Sequence, residues 1–484
     1  MSAKTGRLEE WMHPDDLGET THRHLFPPAG RRTARAGRET HRGAHPQPRR
    51  DHDLRGVRRN VPDGPHATRR VRHAAGLRPV TGRLGRVCRV VAALLTAVSC
   101  QSGPARAAAP APSAARASGA VTWAASADRM GEGTADRGYR LIVHTSVGGT
   151  GLRVRVSNAF GDRPLTLDSA YAGLRGRGAA LRPGSNRRLT FGGDRTVTVP
   201  AGAVVWSDPL PGSWPAGSDL AVSLHSPDAA GPATGHWMAM QTSYTGQGDH
   251  TAEESARTWR QTTGSWWYLD AVSVRPSRAA TGAVVALGDS ITDGWASTTD
   301  ENHRWPDYLA RRLHTAHAPV QGVADEGFSG NKVLADGAGP SALNRLDRDV
   351  LSLPGVRTVF LFEGVNDLKA HTGVTAHDLI AGYRQIARRV HAAGKCVVAA
   401  TVGPFEGWPE WDPGAEAVRR EVNRYIRTGG DFDAVTDFDR TLRSPYDSAR
   451  LLPSLDGGDH LHPNDKGMHA LADTVDLARL RCAR

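Results

Sequence analysis

The chain has 484 residues, long enough for two or three domains with ample core. Its formal charge is +11, yet there are 20 Lys and Arg against 9 Asp and Glu up to Arg89, and 41 of each beyond it. The basic excess therefore lies wholly in the first segment, and nucleic-acid binding is excluded for the rest.

Residues 1–79 are rich in Arg, His, Pro and Gly and carry almost no apolar periodicity. Such a segment buries too little surface to offset its ordering entropy and reads as a disordered basic segment. His22 and His24 lack Cys or carboxylate partners at metal-ligand spacing. Residues 80–107 have the plan of a signal peptide. Arg83, Arg86 and Arg89 form a positive region, Val90–Val98 an apolar one, and Ala105-Arg106-Ala107 a cleavage site. Export is expected, and so is a translation start near Val80 or Val87, with 1–79 not natively translated. The apolar run is too short for a permanent membrane span. Cys100 follows Ala97-Val98-Ser99, a weak likeness to a lipoprotein box, since position 97 is Ala rather than Leu. Residues 108–119 form an Ala/Pro-rich linker. Cys396 and Cys482 remain after cleavage and are candidates for a bridge in an exported protein.

From about 120 to 277 the hydrophobic period is two. Leu141–Thr145, Leu152–Val156, Val197–Val199, Leu220–Leu224 and Trp266–Leu269 alternate between turn-forming clusters. Short strands at this spacing predict an antiparallel β-sandwich. Trp237, Trp266, Trp267 and Tyr268 can stack on sugar rings or pack in its core.

From 278 to 484 strand and helix patterns alternate. Val284–Leu287, Val320–Val323, Thr358–Phe362, Cys396–Val402 and Ala434-Val435 read as strands. Trp305–His314, Ser341–Leu351, Ala376–Ala393, Glu416–Ile426 and Asp465–Leu480 read as helices. This predicts an α/β fold, a three-layer doubly wound parallel sheet with helices on both faces.

Chemistry in such a fold sits where strands end. Those ends carry Gly288-Asp289-Ser290, Gly327-Phe328-Ser329-Gly330-Asn331, Glu363-Gly364-Val365-Asn366-Asp367, Phe405-Glu406-Gly407-Trp408 and, before the last helix, Asp456-Gly457-Gly458-Asp459-His460-Leu461-His462-Pro463. A hydroxyl, glycine amides, a carboxamide and an Asp-x-x-His pair are thus expected on one edge. A serine hydroxyl becomes nucleophilic when a base takes its proton. A histidine titrating near neutrality can do so, and a carboxylate on its other nitrogen orients it. His462 has that spacing; His460 competes as base and Asp456 as orienter. Asn366 has the competing role of a helix cap. Asp437 and Asp439 read as turn or capping residues. His303, His371, His377 and His391 have no nucleophile at motif spacing and are expected at the surface.

This ordered set resembles the SGNH (GDSL-type) hydrolase family over nearly all of 282–478, and the preceding sandwich is similar to that of secreted two-domain GDSL esterases and acylhydrolases. The resemblance implies a flavodoxin-like sheet order. It implies Ser290 as nucleophile, Asp459 and His462 as the rest of the triad, and Ser290, Gly330 and Asn366 as the oxyanion hole. It implies no metal or organic cofactor. Asp325 departs from the family's common Asn at that place, which bears on the geometry of the neighbouring loop. The expected function is a secreted serine ester hydrolase working through an acyl-enzyme on O-acyl groups of carbohydrates or on aryl esters. The alternatives are a lipase or phospholipase, and a carbohydrate-binding protein on a relic hydrolase fold. Trp295, Trp305, Phe405, Trp408 and Trp411 lie near strand ends, where they can line a substrate pocket or pack. The expected partner is a small-molecule or polysaccharide ester.

Overall fold

The computed structural model describes residues 119–276, 282–369 and 373–481. The basic segment, the signal peptide with Cys100, the linker up to residue 118, His371 and Cys482 lie outside them.

Alternation in the first region becomes two antiparallel sheets. One orders Ala120–Ala124, Leu269–Pro276, Gly149–Ser157 and Leu210–Trp214, with Val204–Trp206 also paired to Gly149–Ser157. The other orders Gln261–Thr263, Ser243–Gln247, Arg137–His144, Asp219–Ser226, Ser169–Leu174 and Arg187–Arg188. Successive strand residues point to opposite faces, so Leu220, Val222 and Leu224 share one side. They join Val154, Val272 and Val274 of the first sheet in one core. A three-stranded sheet of Trp266–Trp267, Pro232–His236 and Asp128–Glu132 lies alongside.

The second region forms a parallel sheet of β1 (Gly282–Gly288), β2 (Val320–Gly327), β3 (Val356–Phe362), β4 (Cys396–Ala400) and β5 (Ala434–Thr436). Their spatial order is β2-β1-β3-β4-β5, with Val285 of β1 opposite Ala324 and Val359. Each central strand is buried on both faces, which is why it reads as an unbroken apolar run. Val285 and Leu287 enter one core with Leu379, Ile386 and Val422; Val284 and Ala286 enter the other with Leu309, Leu313 and Leu471. The helices that supply those faces are α1 (Ser290–Asp293), α2 (Trp305–Thr315), α3 (Ala342–Arg345, continuing as a wider turn over Leu346–Leu351), α4 (Val365–Lys369), α5 (Ala376–Ala392), α6 (Pro413–Thr428), α7 (Phe438–Leu442) and α8 (Asp465–Thr474). Local chemistry sets their starts. Thr375 and Asp378 form a capping box on α5. Asp412 caps α6 ahead of Pro413.

The closing helix is shorter than its pattern predicts. It stops at Thr474, Val475 is extended, and Asp476 starts a separate 3₁₀ turn at Leu477–Leu480 by accepting the Ala478 N–H. Two adjacent β-branched residues weaken the helix there, and a capping side chain offers the backbone an alternative.

The sandwich and the parallel sheet share a core. Val121, Ala124 and Ala271 belong to the same apolar cluster as Val285, Leu287 and Val356. Hydrogen bonds cross beside it: Val121 N–H donates to the Pro354 carbonyl at 2.9 Å, and Ser146 Oγ donates to the Val323 carbonyl at 3.0 Å.

Candidate active site

Strands β2 and β3 lie on opposite sides of β1, so the loops leaving β1 and β3 part there and open a crevice at the carboxyl edge. Ser290 is the first residue of α1 in that crevice. Asp289 fixes the turn, its side chain accepting the Ile291 N–H at 3.0 Å. Burial pushes the Asp289 carboxyl up to about 7, against its bond from Ile291 and the charge of Lys369.

The structure brings the predicted base to this serine. Ser290 Oγ lies 2.8 Å from His462 Nε2, and His462 Nδ1 lies 2.6 Å from Asp459 Oδ2. The other Asp459 oxygen accepts the N–H groups of Leu461 at 3.0 Å and His462 at 2.8 Å, a tight turn that locks the carboxylate. Burial alone would raise Asp459, but the His462 hydrogen bond and charge and these two amides hold it at about 2. Burial lowers the His462 pKa, the Asp459 carboxylate opposing and the Lys369 charge assisting. His460 pairs instead with Asp456, at 2.7 Å, and is exposed.

The second block is organised by buried polar groups. Gly330 has φ +82, a conformation that favours glycine. Asn331 donates to the carbonyls of Ala338 and Pro340, both at 2.9 Å, and accepts Arg345 Nε at 2.9 Å. Arg345 also donates to the Glu326 carbonyl at 2.8 Å and the Gly288 carbonyl at 2.9 Å, and lies 3.5 Å from Glu363. One buried guanidinium thus ties the ends of β1 and β2 and the residue following β3. Asn366 sits within α4 rather than before it, so the structure gives it no N-cap role. Its Nδ2 donates to the Asn331 carbonyl at 2.8 Å, leaving a second amide hydrogen. Asp367 accepts the N–H groups of Val333 at 2.8 Å and Leu334 at 3.1 Å, joining α4 to the Gly330 loop.

The aromatic candidates separate. Trp295 is 39% exposed with its ring 5.7 Å from that of His462, and Trp408 lies 5.8 Å from His462 on an edge-to-face angle of 88°. The Lys369 ammonium sits 4.6 Å over Trp408. Trp305 and Phe405, expected near the substrate, are instead fully buried core residues. Trp305 begins α2 on its inward face, 4.8 Å from Phe360 and 5.6 Å from Phe438, with its indole N–H donating to Thr292 Oγ1 at 3.2 Å. Phe405 packs in the opposite core, with Trp411 partly buried against it. Trp266 is likewise a core residue, whereas Trp237 is exposed.

Asp437 caps α7. Asp439 is buried and pairs with Arg419 at 2.7 Å. His303 pairs with Asp465 and His391 with Asp433, each at 2.8 Å, and both are part-exposed; His377 is exposed. Sequence reasoning missed Asp293, three residues after Ser290. Its Oδ2 accepts both the N–H of Ser329 at 2.9 Å and its hydroxyl at 2.8 Å. The signal was an acid at the end of the Gly-Asp-Ser stretch itself. Lys369 was missed as well, being three residues past Asn366 with no local pattern of its own. Among the described residues no helix is long and apolar enough to cross a membrane.

Residues 286–470 match the model of the GDSL-like lipase/acylhydrolase family. No curated protein matches the chain. Among solved structures, the aryl esterase of M. smegmatis is 19% identical, with 40% of this chain and 95% of that one covered and a TM-score of 0.33. A carbohydrate acetylesterase from Sinorhizobium meliloti is 18% identical, with 40% and 94% covered and a TM-score of 0.32. A G-D-S-L family lipolytic protein from Desulfitobacterium hafniense is 19% identical, with 40% and 96% covered and a TM-score of 0.32.

Proposed function

We propose that the carboxyl-terminal domain, which belongs to the GDSL-type (SGNH) hydrolase family, is a serine ester hydrolase, and that residues 278–484 are its catalytic unit and 120–277 an accessory one. The observation that carries this reading is the unbroken chain Ser290–His462–Asp459, with contacts of 2.8 and 2.6 Å. His462 takes the Ser290 proton on Nε2 as Oγ attacks the ester carbonyl, while Asp459 stabilises the imidazolium. The tetrahedral oxyanion receives the N–H groups of Ser290 and Gly330 and the remaining Asn366 amide hydrogen. His462 then protonates the departing alcohol, leaving Ser290 acylated. Water attacks this ester with His462 again as base, releasing the acid and restoring the serine.

The exposed ring of Trp295 beside His462 favours a sugar-borne or aryl ester over a long acyl chain. The large hydrophobics exposed among the described residues are Val204, Trp237, Trp295 and Tyr446, which are too dispersed in sequence to make an apolar lid for a lipase. The signal-peptide pattern at 80–107 favours export. Ser290→Ala tests the reading. Hydrolysis of a short nitrophenyl ester should fall by about 10⁴-fold or more, the scale on which loss of a triad serine acts. A variant as fast as wild type sinks the nucleophile assignment, and glycan binding without any turnover by wild type favours the non-catalytic alternative.

A further inference from the structure

We propose that His236, which belongs to the β-sandwich, is a positioning residue for hydrolysis: it holds Asp293 and, through it, the helix of Ser290 and the loop of Gly330 in one arrangement. This rests on the serine-hydrolase reading. Asp293 is the last residue of α1, and Ser329 directly precedes Gly330. One Asp293 oxygen takes both hydrogen bonds from Ser329, so a single carboxylate joins the nucleophile's helix to the Gly330 loop. The other oxygen lies 3.0 Å from His236 Nε2. The sandwich also reaches the root of that loop, since Ser126 Oγ donates to the Gly327 carbonyl at 2.6 Å.

The partners of His236 fix its protonation. Nδ1 is 2.9 Å from the Ser126 carbonyl, and Nε2 is 3.0 Å from the Met238 carbonyl as well as from Asp293. Nδ1 also lies 3.4 Å from Ser126 Oγ, whose proton goes to the Gly327 carbonyl; with both ring nitrogens set against acceptors, the doubly protonated ring is the form that satisfies them all. His236 is therefore a buried imidazolium paired with a buried carboxylate, at 3% and 4% side-chain exposure. Burial opposes the charge, but the Asp293 carboxylate and the Ser126 and Met238 carbonyls outweigh it and hold His236 above its ordinary value. The other charges around the pair are Arg304, which donates to the Asp293 carbonyl at 3.1 Å and lies 3.6 Å from Asp307, together with Asp325 and Asp128. Trp266 and Phe328, with ring centres 5.5 and 6.2 Å away, hold the imidazole's plane. A carboxylate left in this seam without its cation would be strongly unfavourable and would rearrange, taking Ser329 with it.

The test uses full-length wild type, His236→Gln, Asp293→Asn and the double variant. Competent sites are counted by stoichiometric nitrophenol release from a nitrophenyl phosphonate, and kcat is expressed per competent site for a short nitrophenyl ester. Each single variant should lose about 10- to 100-fold in kcat per competent site, the scale of a small misplacement of reacting groups, with KM within about twofold. The double variant should be no worse than the worse single one, because both break the same link. Unchanged kcat per competent site, with only fewer competent sites, makes His236 merely structural and overturns the proposal. A wild type that neither reacts with phosphonate nor hydrolyses ester overturns the hydrolase reading and this one together. If His236→Gln does not fold, ¹⁵N spectra of wild type at about pH 7.5 decide: the ring contacting Trp266 and Phe328 should carry protons on both nitrogens, and a neutral ring overturns the proposal.

Discussion

At the scale of single residues, the site is a set of ionisations that burial pulls apart. His462 is a base only when neutral, and burial holds its pKa below the ordinary value of about 6.5, with Lys369 assisting and Asp459 opposing. The kcat/KM profile should therefore rise with pH, inflect below about 6.5 and be level from neutrality upward. An inflection above neutrality counts against His462 as the base. Asp325 behaves differently. Burial pushes its carboxyl up to about 8, with Arg304 opposing and Asp293 adding, while one oxygen accepts the Gly327 N–H at 2.9 Å. An acid raised on folding keeps its proton where the unfolded chain, titrating near about 3.9, gives it up. Stability is then lost as pH climbs from about 4 to about 8. Asn retains the acceptor without the ionisation, so Asp325→Asn should flatten the fall of Tm between about pH 4 and 8. Parallel Tm curves for the two proteins would show that the Asp325 carboxyl is already ionised in the folded protein and is not raised by burial. The triad residues were legible because each belongs to a short local block. Trp305 was not, because its role depends on which face of α2 meets the sheet.

At the scale of elements, the serine is placed by contact between α1 and the end of β2. A Cβ on Gly327 would sit 2.1 Å from the Asp293 nitrogen and 2.6 Å from its Cα. These are backbone atoms, so α1 would have to move with Ser290 on it. Gly327→Ala should cost about 1–3 kcal/mol or more in stability, measured by denaturant unfolding, and should lower turnover per folded molecule. Wild-type turnover and stability would mean that α1 shifts freely. The apolar strands and capped helices were readable because burial on two faces and capping leave period and end signals in sequence. The end of α8 escaped, since continued apolar spacing masked the competing cap at Asp476.

At the scale of the whole molecule, the sandwich and the parallel sheet share a core through Val121, Ala124 and Ala271. Separating them would expose that surface, so calorimetry should find one unfolding transition with equal calorimetric and van't Hoff enthalpies. Two resolved transitions would show that the halves fold independently. The sequence by itself determined the alternating patterns, the strand ends that carry chemistry and the Asp-x-x-His spacing, because each is a property of neighbouring residues. Only the tertiary structure decided that Trp295 and Trp408 lie beside His462 while Trp305 and Phe405 are core. It alone brought His236 to Asp293 across 57 positions of chain. Nothing local marks such a pair: a lone histidine in one domain and an acid in another acquire a joint role only when burial removes water and leaves each as the other's partner.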